Sequence, residues 1–252
     1  MSVAFYFADV PDLNTEDEYH LSDLSETTAQ SSIWSHPHFV GTVLAQFLYV
    51  AAQAGIFSFF INYMIEEMPS ISYGLAGSWL FKDRTILREG TYYVNEQGST
   101  FLLGTSGFPL FLIGRVSGAV IMRKLKAHRV LGTSVVINVF LCGIVVLKLG
   151  WISVTAVFLV FLFMSIIFPT IFALGIYGLG VQAKRASGFI VMAIRGGAIM
   201  PKLMGHLGDV YNMSVNFLMP LGCFALIAIY GYLWSRLSKS DAQISLFNMK
   251  EH

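Results

Sequence analysis

Four polar side chains recur at helical spacing within an apolar stretch of the chain. At intervals of four, three and four residues come Thr42, Gln46, Tyr49 and Gln53. This spacing places them on one face of a helix, where their hydroxyl, amide and phenol groups both donate and accept hydrogen bonds. Such a stripe either lines a cavity for a hydroxyl-rich ligand or hydrogen-bonds neighbouring helices. Two amides and a phenol in one stripe favour the cavity.

A cationic side chain lies in another apolar stretch. Arg195 is followed by Lys202 and His206 at seven and eleven residues, on about the same helical face. A charge at mid-membrane depth costs about 3 kcal/mol even on a lenient scale, so it should face protein or water. No Asp or Glu occurs between Glu96 and Asp209. Arg195 therefore either lies in water at a cavity mouth, or pairs with a polar ligand or with a carboxylate outside this sequence.

Enzyme and metal chemistry are not indicated by the sequence. It contains no phosphate-binding Gly-x-x-x-x-Gly-Lys motif, no Gly-x-Ser-x-Gly and no His-Glu-x-x-His. Cys142 and Cys223 lie in apolar runs and are expected to act as small packed hydrophobic residues. We therefore predict no catalytic residue, no metal site and no organic cofactor.

The composition determines the class of protein. Of 252 residues, 55% are hydrophobic and 12% are charged, whereas a soluble domain carries about 25% charged residues. An aromatic content of 14% excludes a disordered chain. A net charge of +1 with scattered basic residues argues against a nucleic-acid partner. The composition predicts an α-helical protein surrounded by membrane lipid.

Long gaps without charged residues divide the chain into six segments. Each is close to the length of about 20 apolar residues that a membrane-spanning helix needs. The fold predicted is an all-α polytopic membrane protein with six transmembrane helices, at 37–65, 97–122, 130–148, 152–178, 186–207 and 213–235.

Basic residues are unevenly distributed between the two ends of the predicted spans. Clusters follow the second, fourth and sixth spans, and such clusters favour the cytoplasmic side. Both termini are therefore predicted to be cytoplasmic, with the loop 66–96 outside the cell and carrying a short surface helix. The predicted divisions are the end of a truncated helix (or an apolar disordered terminus) with an acidic linker at 1–35, a membrane domain at 36–236 and a cytoplasmic tail at 237–252.

Helix-breaking residues fall inside several of the predicted spans. Pro109, Pro169, Pro201 and Pro220 lie within them, and Gly196 and Gly197 precede Pro201. Kinked or broken spans are typical of transporters that rock around a central site. Close helix packing through small residues is the alternative explanation.

Several motifs resemble a known family. Gly114-Arg115-Val-Ser-Gly118, followed by Arg123 and Lys124, resembles the loop motif of the major facilitator superfamily, which implies a cytoplasmic gate at these five residues. The stretches 44–53, 163–175, 187–192 and 196–201 resemble the fucose:proton symporter family, and the resemblance runs in order from about residue 36 to 236.

The resemblance covers only the second half of that family's twelve-helix fold. It implies half of a major-facilitator fold, built from two inverted three-helix repeats at 37–148 and 152–235. It also implies a missing N-terminal six-helix half, which carries the carboxylates for the coupling proton. Gln53 is implied as a cavity residue and Phe168 as a neighbour of the sugar. Fucose carriers have Tyr at the position of Phe168, and an apolar residue at that of Arg195.

The function predicted is proton-coupled sugar transport by alternating access in the bacterial inner membrane. The sugar is L-fucose or a related hexose such as glucose or galactose, and the chain supplies the C-terminal half of the carrier. Two alternatives are an inactive fragment and a scaffold or regulator of another carrier. The candidate sugar contacts are the polar residues Gln46, Tyr49, Gln53 and Asn138, with Phe168 as an apolar wall.

Overall fold

The computed structural model describes residues 33–79, 81, 83–179 and 182–248, and most of them are helical. The predicted helix end at 1–8 and the acidic linker up to residue 32 lie outside the described residues. In chain order the elements are α1 (Pro37–Glu67), α2 (Tyr73–Ala76), β1 (Thr85–Arg88), β2 (Thr91–Val94), α3 (Glu96–Leu102), α4 (Phe108–Lys124), α5 (Ala127–Val146), α6 (Trp151–Ile176), α7 (Ala183–Met192), α8 (Gly196–Val210) and α9 (Leu218–Asn248).

Six helical segments within the described residues are long and apolar enough to cross a membrane. The prediction of six spans is confirmed, and each predicted boundary lies within about three residues of the observed one. The last helix, α9, continues beyond the apolar segment to Asn248. The spans run over Pro37–Glu67, Glu96–Lys124, Ala127–Val146, Trp151–Ile176, Ala183–Gly208 and Val215–Trp234.

Two of the spans are interrupted by irregular turns. In the second span, a π-helical segment at Leu103–Gly107 joins α3 to α4. Because Pro109, two residues after Gly107, lacks an N–H, the regular hydrogen-bond ladder cannot continue there. In the fifth span, a 3₁₀ turn at Ala193–Arg195 separates α7 from α8, immediately before Gly196. Both interruptions occur where the sequence carries helix breakers.

The loop between the first two spans contains an antiparallel hairpin that was not predicted. Strand β1 pairs with β2 in the register Thr85↔Val94 and Arg88↔Thr91. The turn residues Glu89 and Gly90 have positive φ values of 50° and 78°, as a two-residue hairpin turn requires. The predicted short helix of this loop is α2. The hairpin is absent from the sequence prediction because Glu-Gly is a weaker turn signal than Asn-Gly.

The six spans are arranged as two equivalent sets of three. Helix α1 of the first set packs against α6 of the second, and each of these helices also packs against the second and third spans of the other set. Thus α4 and α5 contact α6, while α8 and α9 contact α1. Because each set contains an odd number of spans, the second set has the opposite orientation across the membrane. The fold is therefore half of a major-facilitator fold, with two inverted three-helix repeats.

Glycines form the closest helix contacts in both repeats. On α4, Gly114 lies against the carbonyl oxygen of Leu162, and Gly118 against Ile166, both on α6. On α8, Gly196 lies against the carbonyl oxygen of Phe47 on α1. A side chain at Gly114 or Gly196 would occupy the space of a neighbouring backbone oxygen, so small residues set the helix spacing here.

Candidate functional site

A cavity of about 400 Å³ lies between α4 and α6. Its volume is within the range of small-molecule sites, about 300–1,000 Å³. It is open on the side where Arg115 and Ala119 are exposed. Its walls are largely apolar, with one guanidinium group among them. The lining residues are Arg115, Ala119 and Met122 of α4, and Phe168, Pro169 and Phe172 of α6.

The guanidinium of Arg115 is held over two aromatic rings. Its carbon lies 5.7 Å from the ring centroid of Phe168 and 5.5 Å from that of Phe111. The ring of Phe168 in turn meets Tyr49 edge-to-face, with centroids 6.0 Å apart. A cation over a ring face is attracted by the ring's negative face. Since Arg115 also lines the cavity, its N–H groups can donate to a ligand there.

The proline next to Phe168 shapes this wall of the cavity. Pro169 lies inside α6 and has no N–H to donate to the carbonyl four residues earlier. The hydroxyl of Thr170 donates to the carbonyl of Ile166 at 2.7 Å. Two residues earlier along α6, the carbonyl of Met164 accepts a hydrogen bond from the Tyr49 hydroxyl at 3.0 Å. Side-chain donors from α1 and α6 thus bond the carbonyls on either side of Ser165, whose own carbonyl Pro169 leaves without a backbone donor.

Gln53 is half-buried and lies between Tyr49 and Phe57 on one face of α1. Phe57 stacks on Phe108 with centroids 5.6 Å apart and meets Phe111 at 5.8 Å. The rings on either side of Gln53 therefore contact the same two helices, α4 and α6, that form the cavity. The structure brings Phe168 and Arg115 together in the cavity lining, whereas Gln53 is not one of the lining residues and stays a predicted sugar contact.

The other members of the polar stripe face the interior of the bundle. Thr42, Gln46 and Tyr49 have 0% exposed surface. The Thr42 hydroxyl donates to the carbonyl of His38 at 2.9 Å and lies 2.6 Å from the Tyr230 hydroxyl. Thr42 and Tyr49 thus hydrogen-bond within and between helices. This is the alternative interpretation of the stripe, in which its polar groups hold neighbouring helices together. A sugar contact at Gln46 or Tyr49 stays a prediction.

The hydrogen bond between Thr42 and Tyr230 gives a direct test of this packing role. Tyr230→Phe is expected to lower the free energy of unfolding by about 0.6 kcal/mol, the average for hydrogen bonds between membrane helices. Tyr232→Phe on the same helix is the control, because Tyr232 is 67% exposed. Thermal unfolding in detergent measures both variants. Equal stability of the two variants would contradict a stabilising role for this bond.

Asn138 lies on α5, away from the cavity. Its side chain is 0% exposed, and its amide atoms hydrogen-bond no described residue. The same is true of the Gln46 amide. Neither residue lines the cavity, so their role in sugar binding also stays a prediction. Cys142 and Cys223 are free and buried, and no group of His, Cys, Asp and Glu within the described residues is placed to hold a metal ion.

The five predicted gate residues occupy different environments on α4. Gly114 and Gly118 are buried against α6. Arg123 and Lys124 are exposed in the last turn of α4, where positive charge is favoured by the helix dipole. Arg115 lies about 13 Å from Lys124 along the helix, at 1.5 Å per residue, and lines the cavity. A gating role for the five stays a prediction.

Sequence reasoning missed four contributions to the cavity wall: Arg115, which was assigned only to the gate, and Ala119, Met122 and Phe172. The family motif associated Arg115 with the cytoplasmic end of the helix. However, Arg115 precedes Lys124, the last residue of α4, by nine residues, which places it well inside the helix. Ala119 and Met122 follow Arg115 at four and seven residues, so they share its helical face. Arg195 lies elsewhere, exposed on the fifth span, and makes no hydrogen bond or ion pair within the described part of the chain.

The fold and the cavity define a class of protein: a multi-pass membrane domain of the major-facilitator type. No protein-family model matches the chain. The glucose/galactose transporter of Brucella abortus is 31% identical over 236 residues, which are 94% of this chain and 50% of that protein. The L-fucose-proton symporter of Escherichia coli is 36% identical over 194 residues, 77% of this chain and 39% of that protein.

A second symporter extends the similarity. The L-fucose-proton symporter of Haemophilus influenzae is 29% identical, over 73% of this chain and 51% of that protein. The chain thus spans about half the length, or less, of the curated relatives it matches. It belongs to the fucose permease family and corresponds to the C-terminal half of its members. The resemblance found in the sequence motifs is confirmed.

Proposed function

We propose that this chain is the C-terminal half of a proton-coupled sugar carrier in a bacterial inner membrane. The observation that carries the proposal is the cavity between α4 and α6, lined by Arg115 and Phe168, in a chain similar to glucose/galactose and fucose transporters. The basic clusters after the second, fourth and sixth spans support cytoplasmic termini. The substrate is L-fucose or a related hexose.

The chemistry of the cavity suits a hydroxyl-rich ring. The Arg115 guanidinium offers donors to sugar hydroxyls, and the half-buried Gln53 amide offers both a donor and an acceptor. The ring of Phe168 provides an apolar wall for the C–H face of the sugar. Neither Asp nor Glu occurs from residue 97 to 208, so the proton-carrying carboxylate is assigned to the N-terminal half. Alternating access then follows from rocking of the two halves around the sugar.

The test is sugar uptake into proteoliposomes with an imposed pH gradient. Labelled L-fucose, D-glucose and D-galactose are offered to three preparations: this chain, the first six spans of the Brucella abortus relative, and both together. Uptake is expected only when both are present and only with the inside alkaline. Uptake by this chain alone would contradict the half-carrier assignment. Co-purification of the two halves without uptake of any sugar would refute sugar transport.

A further inference from the structure

The fifth span presents two chemically different faces. On the side that packs against α1, Gly196 meets the backbone of Phe47, and Gly197 lies against Val50 and Ala54. Met200 and Met204 continue this face and are buried. The side chains of this face are small, or flexible and apolar, and they pack against α1. This face of α8 is therefore already covered by residues of this chain.

The opposite face carries three cationic or ionisable residues. Arg195, Lys202 and His206, here called the basic stripe, follow one another at seven and four residues. At 100° per residue they lie about 180° from the glycines and methionines that contact α1. All three are exposed, and within the described residues none of them makes a hydrogen bond or an ion pair. The basic stripe therefore points away from this bundle.

The depth of Arg195 makes exposure to lipid unfavourable. It lies at the middle of the span Ala183–Gly208, about 18 Å along the helix from either end. This distance is longer than an arginine side chain, so the guanidinium cannot reach the interface water by extending along the helix. Charged groups at this depth face protein or water and pair with other polar groups. Within the described residues Arg195 makes no such pair, so a group that pairs with it would come from outside the residues that pack against this helix.

A carboxylate is the group that neutralises a guanidinium, and in the first two spans the acidic residues Glu66, Glu67 and Glu96 lie only at the span ends. The sequence from residue 97 to 208 contains neither Asp nor Glu. The matched relatives are about twice as long as this chain, so a carrier of their size has further spans beside these six. A carboxylate at mid-depth on a helix alongside α8 would neutralise Arg195. The same helix would also pass Lys202, two turns further along α8.

We infer that the basic stripe is the docking surface for a transmembrane segment that carries a carboxylate opposite Arg195. The segment belongs to the second half of the carrier, so the inference rests on the proposed function. The inference adds that the two halves recognise each other on this side by an ion pair between Arg195 and a carboxylate. The ion pair selects an acidic partner, and the apolar residues around it, such as Ile199 and Leu203, supply the contact area.

Designed helical peptides test the charge rule without knowledge of the partner. Two Leu-rich transmembrane peptides differ only in Asp or Leu at the central position, and energy transfer in lipid vesicles measures their association with the purified chain. The Asp peptide is expected to bind about tenfold more tightly than the Leu peptide, a typical effect of a polar contact in a membrane. Arg195→Leu should abolish the difference, whereas Arg129→Leu, a control on α5, should retain it.

Two results would overturn the docking surface. One is equal binding of the Asp and Leu peptides to the unmodified chain. The other is a preference for the Asp peptide that persists in Arg195→Leu. Neither result bears on sugar uptake by the two halves, so the failure of this inference and the failure of the proposed function are distinguishable.

Photo-crosslinking tests the surface in the native membrane. A photoreactive residue at Ile199, which is 53% exposed beside the basic stripe, is compared with one at Phe140, which is 70% exposed on α5. Ile199 is expected to link to a membrane span containing Asp or Glu, and Phe140 to lipid. Arg195→Glu should reduce the link from Ile199 about tenfold, and Lys in place of the partner's carboxylate should restore it. Lipid adducts alone at Ile199, or a linked span without a carboxylate, would refute the inference.

Discussion

Gly114→Ala is expected to leave little folded protein in the membrane. A methyl group at this position would occupy the space of the Leu162 carbonyl oxygen and of the Ser165 hydroxyl. The Ser165 hydroxyl donates to that same carbonyl at 2.8 Å, so neither atom can move independently of the backbone of α6. Helix α4 would have to shift away from α6. We expect a cost of about 3 kcal/mol in the free energy of unfolding, typical of severe overpacking.

The measurement is the yield of monodisperse protein after detergent extraction, followed by thermal unfolding. Gly222→Ala is a matched control, since Gly222 lies in α9 with no atom within 4 Å of the added methyl group. This change should be neutral or stabilising, because alanine favours a helix over glycine by about 1 kcal/mol. Gly196→Ala should behave like Gly114→Ala, because Gly196 occupies the equivalent contact in the second repeat. Normal yield and stability of Gly114→Ala would contradict the close contact.

The membrane spans were predictable because charged side chains are unfavourable in lipid. Each span is therefore a long stretch of sequence without charged residues. This is why the boundaries at Pro37 and Trp151 agree with the structure to within a residue. The glycine contacts were also predictable in kind, since Gly114 and Gly118 are separated by one helical turn. The hairpin at 85–94 was not, because its stability depends on contacts such as the bridge between Ile71 and Tyr92, which are distant in sequence.

Helical periodicity identified the polar stripe but not the neighbour that it faces. Residues such as Thr42 and Gln53 share a face of α1, yet α1 contacts different helices along its length. At Thr42 the neighbour is Tyr230 of α9, whereas near Gln53 the neighbours are α4 and α6. The polar stripe, although its residues recur at one helical spacing, therefore lies in two environments. One part makes interhelical hydrogen bonds, and the other lies near the helices that form the cavity. Only the packing of the other helices distinguishes them.

Arg115→Gln is expected to lower sugar uptake by the two-part carrier about 10- to 100-fold in kcat/KM. The guanidinium lines the cavity beside Phe168, and hydrogen bonds from a charged donor contribute about 1.5–3 kcal/mol. The effect should appear mainly as a raised KM, because in the proposed carrier this group binds the sugar and does not carry the coupling proton. Gln53→Ala removes neutral hydrogen bonds and should lower kcat/KM about tenfold.

A conservative variant separates recognition from charge. Arg115→Lys keeps the positive charge but loses the planar arrangement of donors, so it should resemble Arg115→Gln rather than the unmodified carrier. Arg129→Gln changes a basic residue remote from the cavity and should leave uptake unchanged at normal expression. If Arg115→Lys transports normally, the guanidinium acts only as a charge in the cavity. If Arg115→Gln also transports normally, then Arg115 is not part of the sugar site, and predicted contacts such as Gln53 on α1 would have to supply its polar groups.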